Sequence, residues 1–245
     1  MLKLSHTAVS VYKHCPHAYY LSRVLWLKPF IPIRWPLVVG VAFHDLVNEM
    51  YETCDFSYEF LRRGWKKHFN KALEKEASMF QSTKGWEEHL EQGYILVGMF
   101  YKFAKDNGYL VKPMATEWVF EVLHNGFKIK GIIDLIIKRD DKIHILDFKT
   151  GWGKVSDDKL AVHPQLTLYD WGVLKGMGIK ADKVGLFFPR QSLVQLSTRT
   201  ESDHIQLLNE YTEIATKIDS KDWTPDTTQC KRCEMTSLCP FFKQS

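Results

Sequence analysis

The sequence has no long hydrophobic run. Its most apolar early stretch, 24–43, is broken by Lys28, Arg34 and the prolines at 29, 32 and 36, and the uncharged piece 35–43 is only nine residues. A bilayer-spanning helix needs roughly 20, so no membrane association is expected. No clean apolar segment followed by a small-residue cleavage site opens the chain, which points to the cytoplasm, or the host cytoplasm for a viral protein. There is little charge imbalance: 33 Lys and Arg against 29 Asp and Glu give +4 and a pI of about 8.7. That excess permits a polyanionic partner without requiring one. Repeats, low-complexity tracts and a Gly-x-x-x-x-Gly-Lys-Ser/Thr phosphate loop are also missing, so unwinding by ATP hydrolysis is excluded. Cysteine is scarce and odd in number, five in 245 residues, which fits no secreted disulfide framework. What is present, 45% hydrophobic and 25% charged residues, is the composition of a folded globular chain.

Organisation follows from the hydrophobic period. Segment 5–22 opens on a Ser/Thr helix-start signal and carries Val9, Tyr12 and Leu21 around Cys15-Pro16. Segments 40–51, 58–79 and 86–105 repeat apolar residues at helical spacing. From 117 the period shortens to that of strands: 117–123, 126–138 and 142–150 are β-branched or aromatic runs separated by His-Asn-Gly and Arg-Asp-Asp turn signals. A helix over 164–175, strands over 184–189 and 193–198, and a closing helix over 202–218 complete an α/β fold decorated by N-terminal helices. A single domain is expected, with a helical region at 1–110, a core at 111–220 and a cysteine-rich tail at 221–245.

Two of the strands carry acids where apolar residues belong. Asp134 lies between Ile133 and Leu135, and Asp147 between Leu146 and Phe148. Side chains alternate along a strand, so Asp147 and Lys149 share a face. Two carboxylates about 4 Å apart repel by roughly 4 kcal/mol at an effective dielectric near 20. A divalent cation between them reverses that repulsion, and hard oxygen donors suit Mg²⁺ or Mn²⁺. The alternative is a pair of acids near strand ends, with Lys149 neutralising one of them.

The run Gly131-Ile-Ile-Asp134, a turn, then Ile145-Leu-Asp147-Phe-Lys149-Thr-Gly resembles the core motif of the PD-(D/E)XK nuclease superfamily. The resemblance implies a restriction-endonuclease-like core, a central mixed sheet flanked by helices. Thr116-Glu117-Trp118 resembles the acidic opening of this sheet in the RecB-like branch. Gln165 and Tyr169, four apart on one helix face, with Gly172 expected to let that face approach the sheet, resemble its Gln-x-x-x-Tyr motif. Gly40-Val-Ala-Phe-His44 resembles its Gly-x-x-x-His helix, whose His joins the metal. Carried over, Asp134, Asp147 and His44 hold Mg²⁺ or Mn²⁺, and the Leu146 and Phe148 carbonyls are further candidate ligands. Lys149 orients the attacking water and stabilises developing charge. Gln165 and Tyr169 hold the strand or the Lys in register, while Glu117 is either a site residue or the partner of a neighbouring Lys.

Cys230-Lys-Arg-Cys233 and Cys239-Pro240 have ligand-like spacing, and Cys15 is the candidate fourth ligand. One cysteine near the start and three near the end resemble the iron–sulfur RecB-like nucleases, among them AddB-type and CRISPR-associated RecB-like exonucleases. The segment from Ser5 to Cys15-Pro16 and Tyr19-Tyr20 is similar to their opening. This resemblance implies a [4Fe–4S] cluster stapling Cys15 to Cys230, Cys233 and Cys239. Four thiolates also suit zinc, and that alternative stays open. Cys54 falls outside the set and is read as a buried or free thiol.

The resemblance implies a metal-dependent deoxyribonuclease, an exonuclease acting on single-stranded DNA ends. Lysines 128, 130 and 138 at the rim of the strand, with Lys231 and Arg232 in the tail, are candidate phosphate contacts. Recombination, replication or CRISPR-adaptation proteins are the partners implied. The alternative from another class is a non-catalytic nucleic-acid-binding or assembly subunit that retains the fold.

Overall fold

The structure, a computed structural model, describes residues 1–29, 34–77 and 85–242. Strand β1 (Lys3–Leu4) leads into α1 (His6–His14), capped by Ser5, whose Oγ accepts from the Ala8 amide at 3.2 Å. A proline disfavours helical backbone in the residue before it. Cys15 is accordingly extended (φ −164°, ψ 116°). The 5–22 segment therefore splits, and α2 (Pro16–Tyr19) passes into a π-helical turn over Tyr20–Val24. The break lifts Cys15 out of helical register.

Helices α3 (Trp35–Thr53), α4 (Tyr58–Ala77) and α5 (Trp86–Asp106) stand where the three helical periods lie. Residues 78 and 79 of the expected second helix fall outside the described residues. β2 (Pro113–His124) starts four residues earlier than its β-branched run, and β3 (Phe127–Arg139) and β4 (Lys142–Phe148) follow. β4 is shorter than expected: Lys149 and Thr150 lie just past its end. Both turn signals hold the left-handed residues they imply, Asn125 (φ 44°), then Asp140 (φ 50°) and Asp141 (φ 59°). A five-residue helix, α6 (Asp157–Ala161), precedes α7 (Pro164–Met177), which has Pro at its first position. β5 (Lys183–Phe188), β6 (Leu193–Ser197) and α8 (Glu201–Asp219) complete the regular elements. Thr200 and Asp203 cap α8 reciprocally. The terminal cysteines lie on or beside 3₁₀ turns at Thr227–Arg232 and Thr236–Leu238. No helix among the described residues is long and apolar enough to cross a membrane.

The chain forms two compact units: Met1–Ile31, Phe120–Gly131 and Thr200–Ser245 make one, and Pro32–Val119 with Ile132–Arg199 the other. Each is discontinuous in sequence, because β2 and β3 run through both, so neither coincides with the consecutive regions expected above.

In the larger unit β3 and β4 are antiparallel with Leu135 opposite Leu146, β4 and β5 are parallel with Leu146 opposite Gly185, and β5 and β6 are antiparallel. The sheet is thus mixed. Leu135, Ile137, Leu146, Phe148 and Phe187 point to one face and share a core with α3, α4 and α5. Phe100 sits edge-on to both Phe43 (5.4 Å) and Phe148 (5.8 Å), each such ring worth about 1.5–3 kcal/mol when fully buried. The alternate residues of β4, Ile145 and Asp147, belong to the opposite face, against which α7 packs.

In the smaller unit β1 runs parallel to the start of β3, Lys3 opposite Lys128 and Leu4 opposite Ile129. Helices α1 and α8 are in contact. Tyr12 donates to the Asp222 carbonyl at 2.8 Å, and Tyr19 and Tyr20 stack on Trp223.

Candidate active site

Asp134 and Asp147 face each other across neighbouring strands, one step beyond the Leu135–Leu146 pair. Asp134 Oδ2 accepts from the Phe148 amide at 2.6 Å, which leaves Oδ1 directed at His44 Nδ1, 3.5 Å away. His44 comes from α3, and Gly40 lies one turn before it. A Cβ on Gly40 would stand 3.2 Å from Thr150 Oγ1. The glycine therefore lets α3 close on the end of β4, which brings His44 to the acids. Glu117 completes this corner, its Oε1 4.0 Å from His44 Nδ1. Its φ of 43° breaks the alternation of β2 as a bulge does, and bulges re-aim side chains beside functional sites.

A second group continues from Asp147. Lys149 Nζ lies 2.7 Å from Asp147 Oδ2 in an ion pair and donates to Gln165 Oε1 at 2.9 Å. The Gln165 amide nitrogen donates to Asp147 Oδ1 at 2.9 Å and to Tyr169 Oη at 2.8 Å. Lys149 extends Asp147's line past the strand end, and α7 lays Gln165 and Tyr169 along the same face one turn apart. One amide thus reads the ammonium with its oxygen and the carboxylate and phenol with its nitrogen.

The electrostatics of the two groups differ. Burial and the neighbouring Asp134 carboxylate push Glu117 up to about 7. Burial likewise raises Asp147, with Asp134 adding to it and Lys149 opposing. Burial alone would lower His44, but its contact with Asp134 and the charges of Asp134, Asp147 and Glu117 outweigh that, and its pKa rises. Tyr169 is held far above its usual range by burial and by both aspartates.

One ligand atom each from His44, Glu117 and Asp134 lies within 4.8 Å of the others. An imidazole and two carboxylates, one held up to about 7 by burial and by the Asp134 charge, match the donor chemistry of a divalent ion. Asp147 adjoins this trio with both oxygens engaged, by Gln165 and by Lys149.

The sequence motifs assign no bracing role to Thr116 and do not include Asn48, yet both hold the corner. Thr116 Oγ1 bonds Asn48 Oδ1 at 2.7 Å and the Asp134 carbonyl at 3.0 Å. Asn48 is four residues after His44 on α3 and so shares its face, which is the one signal that could have found it. Of the rim lysines, Lys128 pairs with Glu121, which also takes Lys3 at 2.8 Å, and Lys138 pairs with Asp141 at 2.9 Å. Lys130 is exposed, as are Lys231 and Arg232.

In the smaller unit Cys15, Cys230, Cys233 and Cys239 line one pocket with Met235 and Phe241. Cys15 Sγ accepts from the Asp226 amide at 3.3 Å. Burial raises the Cys233 thiol, and the nearby Cys15, Cys239 and Cys230 raise it further. Cys54 lies apart at the exposed C-terminal end of α3, in left-handed backbone (φ 55°).

Comparison with known proteins adds an independent line. The gene 69 proteins of Mycobacterium phages D29 and L5 are 24% and 23% identical to this chain. Each alignment covers 98% of it and 97% or 96% of the relative. The crystal structure of a candidate exonuclease from Eubacterium rectale superposes with a TM-score of 0.59 at 13% identity, covering 99% of this chain and 90% of that one. At that identity the likeness is one of fold. The sequence model of the PD-(D/E)XK nuclease superfamily matches residues 3–240, nearly the whole chain, and the chain belongs to that superfamily.

Proposed function

We propose that the protein is a Mg²⁺- or Mn²⁺-dependent deoxyribonuclease that digests single-stranded DNA from its ends. The observation that carries this reading is the convergence of His44, Glu117 and Asp134 beside the Lys149–Asp147–Gln165–Tyr169 network. His44, Glu117 and Asp134 would hold the divalent ion, with Asp147 at its margin. Such an ion, when bound, polarises a phosphodiester and acidifies a bound water. Lys149 presents its ammonium where negative charge grows on the phosphate. Asp147 and Gln165 fix its position from two sides, and Tyr169 fixes the Gln165 amide. Asp134 is oriented in turn by the Phe148 amide.

The cysteine pocket belongs to the same reading, as the seat of a structural [4Fe–4S] cluster held by Cys15, Cys230, Cys233 and Cys239. Its support is the donor set: four thiols in one pocket, one already accepting an amide hydrogen bond and one raised by its neighbours. A cluster there supplies cross-linking between chain segments that are far apart in sequence. Phage relatives favour a role in viral replication or recombination in the host cytoplasm over CRISPR adaptation. The E. rectale protein's description as a candidate exonuclease favours attack at ends.

The test is a nuclease assay on end-labelled single- and double-stranded DNA, titrated with Mg²⁺ and Mn²⁺ and run beside a circular single strand. Metal-dependent loss of the linear strand with the circle spared is the expected result. No cleavage with either metal, or equal cleavage by Lys149→Ala, defeats the catalytic reading. A colourless anaerobic preparation containing zinc in place of iron defeats the cluster.

A further inference from the structure

Immediately beyond the Lys149 end of β4 the chain presents an aromatic ring to solvent. Trp152 is 78% exposed, more than any other aromatic side chain among the described residues. A single exposed apolar residue needs no explanation, but this one stands on a loop fixed at both ends. At one end the Arg190 Nε donates to the Thr150 carbonyl at 2.7 Å. At the other, Gln195 on β6 grips Val155 twice, donating to its carbonyl at 2.7 Å and accepting from its amide at 2.9 Å. Gly153 takes φ +123°, backbone that an L side chain rarely adopts, and open space surrounds both Gly151 and Gly153. One face of the indole meets a cation: the Arg190 guanidinium carbon lies 5.8 Å from the ring centroid. A clamped loop with its ring exposed has already lost much of the conformational freedom that binding would otherwise cost.

We propose that Trp152, backed by Arg190, is a stacking platform for an unpaired base of the substrate strand. This rests on the nuclease reading and sharpens it, because it supplies a reason for single-strand preference. Three residues of chain separate the two Cα atoms by at most about 11 Å, so the Trp152 backbone stays within roughly three nucleotides of that of Lys149 at the 3.4 Å spacing of a stacked strand. A base held in a duplex has both faces covered by its neighbours, whereas an end base has one to offer. Stacking on an aromatic is tolerant of sequence, since every base has a π-face. Arg190 strengthens the platform through the ring face and offers its remaining guanidinium N–H groups to the backbone phosphate.

The test separates binding from cleavage. Anisotropy of a short fluorescein-labelled oligothymidine, measured in EDTA, reads the platform alone. Trp152→Ala is expected to weaken binding about ten-fold, within the range alanine substitution gives for base stacking, and Trp152→Phe to restore most of it. A series carrying one abasic nucleotide at successive positions is expected to show one position with a similar penalty in the parent and none in Trp152→Ala. With metal, Trp152→Ala is expected to raise KM about ten-fold on a linear single strand at nearly constant kcat. Equal binding by Trp152→Ala and the parent, an abasic penalty that survives in Trp152→Ala, or no binding by the parent overturns the platform. A parent that binds the strand through Trp152 but cleaves nothing with Mg²⁺ or Mn²⁺ overturns the nuclease reading and leaves the platform standing.

Discussion

The carboxylate corner of the larger unit and the cysteine pocket of the smaller one both crowd ligating groups of one kind, and they handle the crowding differently. At the corner, repulsion is partly relieved from within. Asp147 has Lys149 and Gln165, Asp134 has the Phe148 amide, and Glu117 can keep its proton to about pH 7. The cysteine pocket has backbone amides at Cys15 and Cys233, no cation paired with any thiol among the described residues, and short 3₁₀ turns in place of a sheet. The first site is organised by the sheet that carries it, whereas the second lies among short turns that a bound metal would tie together. Loss of bound metal should therefore silence the larger unit without unfolding it, and should unfold the smaller one.

The largest expected effect breaks the comparison at its structural end. Cys15→Ser should abolish iron incorporation and remove the smaller unit's cooperative melting transition, because metal–thiolate binding contributes folding energy on the order of 10 kcal/mol in small metal-stapled units. Dialysis against EDTA, which would strip a divalent ion from the corner, should leave the circular dichroism spectrum and the melt almost unchanged. An intact melt for Cys15→Ser with full nuclease activity would remove the staple. At the catalytic end, Lys149→Ala and Asp134→Asn should each lower kcat by about 10²–10³-fold, the usual cost of losing a group aimed at transition-state charge, with the melt preserved. A folded protein that keeps its turnover after either change would show that the corner is not where phosphodiesters are cut.

How much of this contrast was legible in the sequence depends on what holds each residue. Asp134, Asp147 and Lys149 stand out because an acid inside an apolar run contradicts its surroundings. Gln165 and Tyr169 follow from helical spacing. His44 needed Gly40 beside it, and the structure gives the reason, a contact with Thr150 too close for a larger residue to make without displacing its neighbour. Glu117 was ambiguous because its direction depends on a left-handed residue within a strand, and nothing in Thr-Glu-Trp requires φ 43° there. Asn48 and Thr116 act through hydrogen bonds between elements 68 residues apart, a separation at which local patterns are silent. β1, two residues long, and α6, five, carry too few residues to show a period. The break at Cys15 is legible in Pro16, because a proline disfavours helical backbone in the residue before it.

A smaller effect sharpens the contrast through the charge crowded at the corner. Glu117 has a folded-state pKa of about 7 against 4.5 for the free side chain. Between those values the folded chain binds more protons than the unfolded one, so stability falls as pH rises through that window, and the full cost is present above 7. Glu117→Gln removes the titration. In EDTA at pH 8 it should stabilise the protein by about 1–2 kcal/mol, after discounting for solvent at a half-exposed carboxyl, or about 2–6 °C in melting temperature. At pH 4, where the parent's carboxyl is mostly protonated in both states, the two melts should converge. With saturating Mg²⁺ the order should reverse, because the parent gains a ligand that the variant lacks. A Glu117→Gln melt below the parent's at pH 8 in EDTA would mean that the carboxylate is compensated by groups other than a cation.

The smallest effect tests whether the Asp147 network is organised independently of the corner. Tyr169 Oη accepts one of the two bonds from the Gln165 amide nitrogen, and Tyr169→Phe removes that acceptor while keeping the buried ring. Gln165 retains its bonds to Asp147 and Lys149, so Lys149 should lose only precision of placement. One neutral hydrogen bond is worth about 0.5–1.5 kcal/mol, which corresponds to a fall in kcat of about two- to ten-fold with KM for the DNA strand unchanged. Metal affinity should be unaffected, since His44, Glu117 and Asp134 do not touch the phenol. Gln165→Ala should cost more, because it frees Lys149 and Asp147 together, and adding Tyr169→Phe to it should cost little further, since only the phenol's contact with Asp147 is then left to lose. If the two changes are instead fully additive, the phenol acts apart from the Gln165 amide, and Tyr169 belongs to the reacting surface rather than only to the support behind Lys149.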